Sequence, residues 1–266
     1  MSSANKLICV ISCLLTFLLP APLLAETLNI PGTGDGTAVL RALGAAFTIQ
    51  NPGIKIEVPK SIGSGGGVKA AGKGEALLAR VARGIKTKEQ KYGLSYQAYA
   101  KVPAVFFTTR DLPIEYLSAQ QICDIYSGKI NNWKQIGGPD TEIHVIRRED
   151  GDSTLSVLTK SFPGFNKIKI TETALIAHKT PEIFSLMKKQ KNAIGFGPYD
   201  VAKNSDVQII KIDGRDPTFT GYPSVTTLGF VFQEKNLTPP ARKFLKFTTS
   251  TAANLPIIAA GGIPTN

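Results

Sequence analysis

Cysteine and histidine are scarce, and acidic residues fall well short of basic ones. The 266-residue chain has three cysteines and two histidines, with 31 lysines and arginines against 20 aspartates and glutamates. Cys9 and Cys13 lie near the N-terminus, so a chain that lost this segment would keep only Cys123. That excludes an internal disulfide and a cysteine metal cluster. A lone thiol in an oxidising compartment is safest buried, so Cys123 is expected on the inner face of a helix. With His144 and His178 as the only histidines, a His/Cys-rich metal centre is not expected, and no carboxylate spacing of the EF type appears. Internal repeats, low-complexity tracts and Pro- or Ser-rich linkers are all missing. So is any GKS or GKT phosphate loop.

A long apolar run occurs only at the start. Lys6 precedes the stretch from Leu7 to Leu19, and Pro20, Pro22 and Leu24-Ala25 follow. A positive start, an apolar middle and a small residue at the cut describe a secretory leader over residues 1–25. The run is short for a membrane anchor, which needs about 20 apolar residues. Val10-Ile11-Ser12-Cys13 offers a lipoprotein box as a minor alternative, although its flanking apolar stretches have the wrong lengths.

The formal net charge is +11. A soluble basic surface explains it, as would an anionic ligand, a nucleic acid or an anionic membrane. The lysines are spread along the chain and no aromatic-basic interleaving or nucleic-acid motif is present, so nucleic acid is discounted.

Strand and helix patterns alternate. Leu28-Asn29-Ile30 reads as a strand, and 37–50 as a helix with Val39, Leu43, Ala46 and Phe47 on one face. Ile54, Ile56 and Val58 alternate as in a strand. Glu75 to Arg83 is helical by propensity. Ser118 and Gln121 form a capping box, and Thr180-Pro181 opens another helix. The pattern predicts an α/β fold with mostly parallel sheets covered by helices.

Three strand-to-helix junctions carry the candidate chemistry: Gly32-Thr33-Gly34-Asp35-Gly36, Ser61-Ile62-Gly63-Ser64-Gly65-Gly66-Gly67, and Arg148-Glu149-Asp150-Gly151-Asp152-Ser153-Thr154. A helix start exposes unpaired N–H groups and a partial positive charge. Glycine lets that backbone approach a ligand, and hydroxyls add donors. One such loop is a common turn; three together read as parts of an anion cradle. The second junction is expected to be a glycine loop, with its helix starting at Val68.

Those motifs, with Ser127-Gly128-Lys129-Ile130-Asn131-Asn132-Trp133, Ala193-Ile194-Gly195-Phe196 and Gly261-Gly262-Ile263-Pro264, resemble the phosphate-binding proteins of ABC importers. The resemblance implies the two-lobed type II periplasmic-binding fold with a cleft between the lobes. Lobe 1 would take residues 27–107 plus 226–266, and lobe 2 residues 108–225. The crossings would fall near Val105 to Thr109 and Val225 to Phe230, and Glu75 to Arg83 would hold a strand. The implied function is extracytoplasmic capture of phosphate or a related small oxyanion. An ABC permease in the membrane is the implied partner; the protein would be a monomer, periplasmic or secreted, without a cofactor. A sensor role for the loaded protein fits the same residues.

Carried over by position, Thr33, Gly34, Ser64, Gly65, Arg148 and Thr154 would hold the anion, with Ser153 beside them. A guanidinium gives two parallel hydrogen bonds to an oxyanion. Hydrogen bonds to charged groups are worth about 1.5–3 kcal/mol each, and a handful, less association costs, gives roughly micromolar binding. Two departures stand out. Leu77 occupies the position taken to match the family's proton-accepting aspartate, and Asp152 stands where a serine is usual. Asp35 or Asp152 would then supply the acceptor. For Asp152 a plain helix N-cap is the competing role. Gly151-Asp152-Ser153-Thr154 also resembles the nucleophile block of GDS-type esterases, but no Asp-x-x-His follows to complete a triad. No catalytic residue is therefore assigned. Trp133 is expected as a packing anchor. Tyr92, Tyr96 and Tyr99 are expected to pack on a strand or line the cleft rim.

Overall fold

The computed structural model describes residues 26–218 and 221–265. The expected leader and its two cysteines lie outside these residues.

The first lobe begins with β1 (Glu26–Asn29), α1 (Thr37–Gln50), β2 (Ile54–Glu57), α2 (Gly63–Gly72) and β3 (Ala79–Val81). The long β4 (Ser95–Thr108) leads into the second lobe. There follow β5 (Tyr116–Leu117), α3 (Ala119–Tyr126), β6 (His144–Arg148), α4 (Ser153–Ser161), β7 (Leu175–Ala177), α5 (Thr180–Lys189), β8 (Ala193–Pro198), α6 (Tyr199–Ala202), β9 (Gln208–Ile209) and β10 (Lys211–Ile212). β11 (Val225–Phe232) returns to the first lobe, which ends with α7 (Pro239–Thr248), α8 (Asn254–Ala259) and β12 (Ile263–Pro264).

An eight-stranded sheet runs through both lobes, with the order β3-β11-β4-β8-β6-β7 and with β9 and β12 also on β4. The strands that alternate with helices pair in parallel: β1 with β2, and β6 with β7 and β8. A parallel bridge from Gly32 to Arg80 joins the β1 end to β3. The connecting strands β4 and β11 are antiparallel, and β4 changes partner beside Pro103, which faces Val225, while Ala104 faces Pro198.

Two apolar cores flank this changeover. The first packs α1 residues Leu40, Leu43 and Phe47 against Tyr99, Phe230 and Phe244. The second gathers Phe106, Tyr126, Trp133, Phe162, Phe165 and Phe196. Each fully buried aliphatic or aromatic side chain contributes about 1.5–3 kcal/mol. Cys123 is buried in the second core on α3, and Trp133 anchors it by donating from Nε1 to the Asn192 carbonyl at 2.9 Å. Tyr99 stacks on Phe230 with ring centroids 4.4 Å apart. Tyr92 packs against Gly72 of α2.

One local expectation changes, and the open choice at Glu75 to Arg83 resolves to the strand that the resemblance implies. The segment Gly63–Gly67 is the first turn and a half of α2 rather than a loop before it. Its glycines allow close packing, since a Cβ on Gly67 would lie 3.0 Å from both the Arg80 carbonyl and the Gly32 Cα. Ala79–Val81 is a strand despite its helical composition, because pairing with β11 overrides local propensity.

Candidate functional site

Arg80 ties together the loop stems of the first lobe. It is fully buried, and its guanidinium donates to the backbone carbonyls of Thr33 at 2.6 Å, Pro59 at 2.8 Å and Ile30. Those carbonyls lie at the ends of β1 and β2, so one β3 side chain holds both loop stems together. Burial lowers its pKa to about 10, which leaves it charged at neutral pH. Gly32 is required beside it: its φ is 143°, and a Cβ there would lie 1.9 Å from the Arg80 carbonyl.

A cavity of about 350 Å³ lies between the lobes. Thr33, Gly34, Ser64 and Gly65 line it from the first lobe, and Arg148, Asp152 and Ser153 from the second. Asp35 and Thr154 do not reach it; they are buried beneath the contact between the lobes. Leu77 is elsewhere, packed beside Thr27, Leu28 and Asn29, so an acceptor at that position would not face the cavity. Leu77 is therefore not the counterpart of a ligand-facing acceptor.

The three helix starts face one region but are not equivalent. At α1 the Asp200 carboxylate accepts from the amides of Gly36 at 3.3 Å and Ala38 at 3.0 Å. At α4 the Asp152 carboxylate accepts from the Leu155 amide at 3.0 Å. At α2 no carboxylate is involved: Ile62 makes no capping bond, and Ser61 Oγ accepts from the Gly63 amide alone at 3.3 Å. Its Ser64 Oγ accepts from the Ala82 amide at 3.1 Å, and Thr33 Oγ1 accepts from the Asp35 amide at 3.2 Å. Each hydroxyl thereby keeps its own proton to give.

Arg148 is held tightly. It donates from Nε to the Ala177 carbonyl at 3.2 Å, from Nη1 to Thr180 Oγ1 at 3.0 Å and from Nη2 to the His178 carbonyl at 3.4 Å. Nη2 also pairs with Asp152 Oδ2 at 2.7 Å. A guanidinium has five N–H groups, so roughly one remains for the cavity. The parallel two-bond grip implied for Arg148 is thus already spent on the protein. Its charge still acts on the cavity.

Several groups at the cavity were passed over in the sequence. Arg83 makes a two-bond pair with Glu89, at 2.8 and 2.7 Å. Burial alone would raise the Glu89 pKa, but Arg83 and the Lys86 amide outweigh it and hold the carboxyl below its usual value. Glu149 meets His178 Nδ1 at 3.0 Å, and Asp150 pairs with Arg147. Among the described residues, the cavity-lining carboxylates all have such partners, whereas Lys86 and Lys88 have no carboxylate partner in an ion pair. Four lining carboxylates balance the four lining lysines and arginines, and Lys86 and Lys88 are the two of these cations outside an ion pair. Lys86 Nζ reaches across the mouth to the Gly151 carbonyl at 3.4 Å. Only the charged run Lys86-Thr87-Lys88-Glu89, close behind the second glycine segment, pointed to them. Thr180, read as a helix cap, also faces the cleft, with its hydroxyl joining Arg148 to Asp35.

A model of the PBP superfamily domain matches residues 21–252. The chain belongs to the PBP superfamily. Among curated relatives of this PBP chain, the phosphate-binding protein PstS of Bacillus subtilis is 24% identical over 247 residues, 89% of this chain and 79% of the relative. The PstS of Borreliella burgdorferi is 24% identical over 187 residues, 65% of this chain and 67% of the relative. A solved structure from Clostridium perfringens, described as a phosphate ABC transporter substrate-binding protein with bound phosphate, is 28% identical with a TM-score of 0.79, covering 91% of this chain and 100% of that one. An ABC-type phosphate transport receptor from Vibrio cholerae is 23% identical with a TM-score of 0.62, covering 89% and 99%, and shares the fold. The PBP chain therefore has the two-lobed type II fold.

Proposed function

We propose that this protein captures phosphate, or a closely related small oxyanion, and presents it to an ABC permease. The observation that carries this reading is the start of α2, where no carboxylate caps the amides and Ser61 takes only that of Gly63. Its first-turn amides, with Ser64 and Thr33 holding protons to donate, line the same cavity as the charge of Arg148. A helix start of this kind favours an anion through both its open N–H groups and its dipole. The named phosphate-binding relatives support phosphate as the anion.

In this reading Gly34, Gly65, Asp152 and Ser153 shape the cavity walls, and Asp152 is the carboxylate placed to accept a proton from the ligand. Residues 27–107 with 226–266 form one lobe and 108–225 the other. Residues 1–25 act as a leader, which puts the protein outside the cytoplasm. Ester hydrolysis has little support: Ser153 donates to Asp35, and the His178 ring is engaged by Glu149.

Thermal unfolding with phosphate, arsenate, sulfate, molybdate and small carboxylates tests the proposal. A ligand at a hundredfold excess over its dissociation constant stabilises by about 2.7 kcal/mol. Phosphate should raise the midpoint clearly; no shift with any of these anions would refute the reading.

A further inference from the structure

Asp35 belongs to the first lobe, yet its carboxylate is held by the second. Oδ2 accepts from Ser153 Oγ and from Thr154 Oγ1, both at 3.0 Å. Oδ1 accepts from Thr180 Oγ1 at 2.7 Å. Ser153 and Thr154 open α4, and Thr180 opens α5. The carboxylate is 1% exposed and sits where two helix starts present hydroxyl donors, an arrangement that suits a bound anion. Arg148 joins the set through Thr180, whose oxygen accepts from Nη1 while its proton goes to Asp35.

A hydroxyl has one proton to donate. Ser153 and Thr180 line the cavity, and while they give theirs to Asp35 neither can give it to a guest in the cleft. The lobes also meet closely here, since a Cβ on Gly34 would come within 2.6 Å of Thr180 Cβ. The Asp35 bonds to Ser153, Thr154 and Thr180 cross between the lobes at this point.

We propose that Asp35 is an internal anion: it latches the lobes together through the hydroxyls of α4 and α5, and competes with the captured oxyanion for the protons of Ser153 and Thr180. The residue thus sets both the closure equilibrium and the affinity of the cleft. The affinity half of the proposal rests on the phosphate reading above; the closure half does not.

The test is small-angle X-ray scattering of the whole protein with and without phosphate, paired with calorimetric titration of inorganic phosphate. Wild type should be nearly as compact without phosphate as with it. Asp35→Ala should open in the absence of phosphate, close when phosphate is added, and bind phosphate about tenfold more tightly, because the freed hydroxyls then serve the ligand. Thr180→Val removes one latch bond from the opposite lobe and should also open, without tightening. It also decides the closure half if Asp35→Ala fails to fold. Unchanged scattering in the folded variants, or weaker phosphate binding by Asp35→Ala, would overturn the proposal. If wild type and variants all ignore phosphate, the phosphate reading fails, and the scattering alone still decides the latch.

Discussion

Arg148 and Asp152 form an ion pair of 2.7 Å in which both side chains are almost wholly buried. Asp152 also caps α4, so one carboxylate performs the helix-cap role and faces the cavity as well. Burial, followed by the nearby charge of Asp35, pushes its pKa up to about 6 in spite of Arg148. The two residues depend on each other. Removing the guanidinium leaves two neighbouring buried carboxylates without their counter-charge.

Arg148→Ala should therefore lose stability as well as ligand. Breaking a buried pair from one side costs about 3–5 kcal/mol, and a clear fall in the urea midpoint should accompany the loss of phosphate binding. Arg148→Lys should not restore either property, since a single ammonium cannot reach Ala177, Thr180 and Asp152 together. A variant as stable as wild type would show that the pair carries no structural weight.

Asp200 gives the protein an inverted pH dependence. Burial raises its pKa to about 7, partly offset by the amides it accepts from at the start of α1, with Asp35 adding to the rise. In the unfolded chain a carboxyl titrates near 3.9. Between about pH 4 and 7 the folded state thus binds the extra proton. The stabilisation this brings is complete below pH ~4 and is lost as pH rises through 7. Asp152 acts with the same sign up to about pH 6. Urea unfolding should show stability falling from pH 5 to 8 in wild type, with a flatter profile in Asp200→Asn. Identical slopes in the two proteins would rule out this role.

Local pattern made part of this legible. The 37–50 helix, the Ser118 cap, the buried Cys123 and the packing role of Trp133 each follow from short-range spacing or chemistry. The three helix starts also stood out, because glycine and hydroxyl residues cluster there. What local pattern cannot carry is partnership at long range. Asp200 caps a helix 164 residues earlier in the chain, and Asp35 meets hydroxyls 118 and 119 residues away. Arg80 sits in an Ala-Arg-Val-Ala stretch whose composition favours helix, while its role depends on carbonyls brought in by two other strands. Gly63–Gly67 is helix where a loop is expected, for a related reason. Glycine is a poor helix former, and α2 is held by packing on β3 instead.

Lys86 and Lys88 should govern how phosphate arrives. They are the cavity lysines without a carboxylate partner, and burial, with Arg83 next, lowers the Lys86 pKa. Replacing both with alanine should weaken phosphate binding about three- to tenfold at low salt, mainly through the association rate. The gap between variant and wild type should narrow near 0.15 M salt, where screening acts over about 8 Å. Stopped-flow titration at several ionic strengths separates this from a direct contact, which would leave a gap insensitive to salt.

Gly34 is where bulk should act as a wedge between the lobes. Its backbone does not need a positive φ, so another residue can adopt it without strain. Space is the constraint: a Cβ would come within 2.6 Å of Thr180 Cβ and 2.8 Å of its Oγ1. Thr180 opens α5 and is itself buried, so it has little freedom to retreat. Gly34→Val should prop the cleft open while leaving both apolar cores packed. Overpacking of this kind costs about 1–3 kcal/mol, here charged against closure, so phosphate affinity should fall at least about tenfold. Scattering should report a more open particle even with phosphate present, while cooperative unfolding of each lobe persists. Affinity equal to wild type would mean that phosphate is held without the lobes meeting at Gly34 and Thr180.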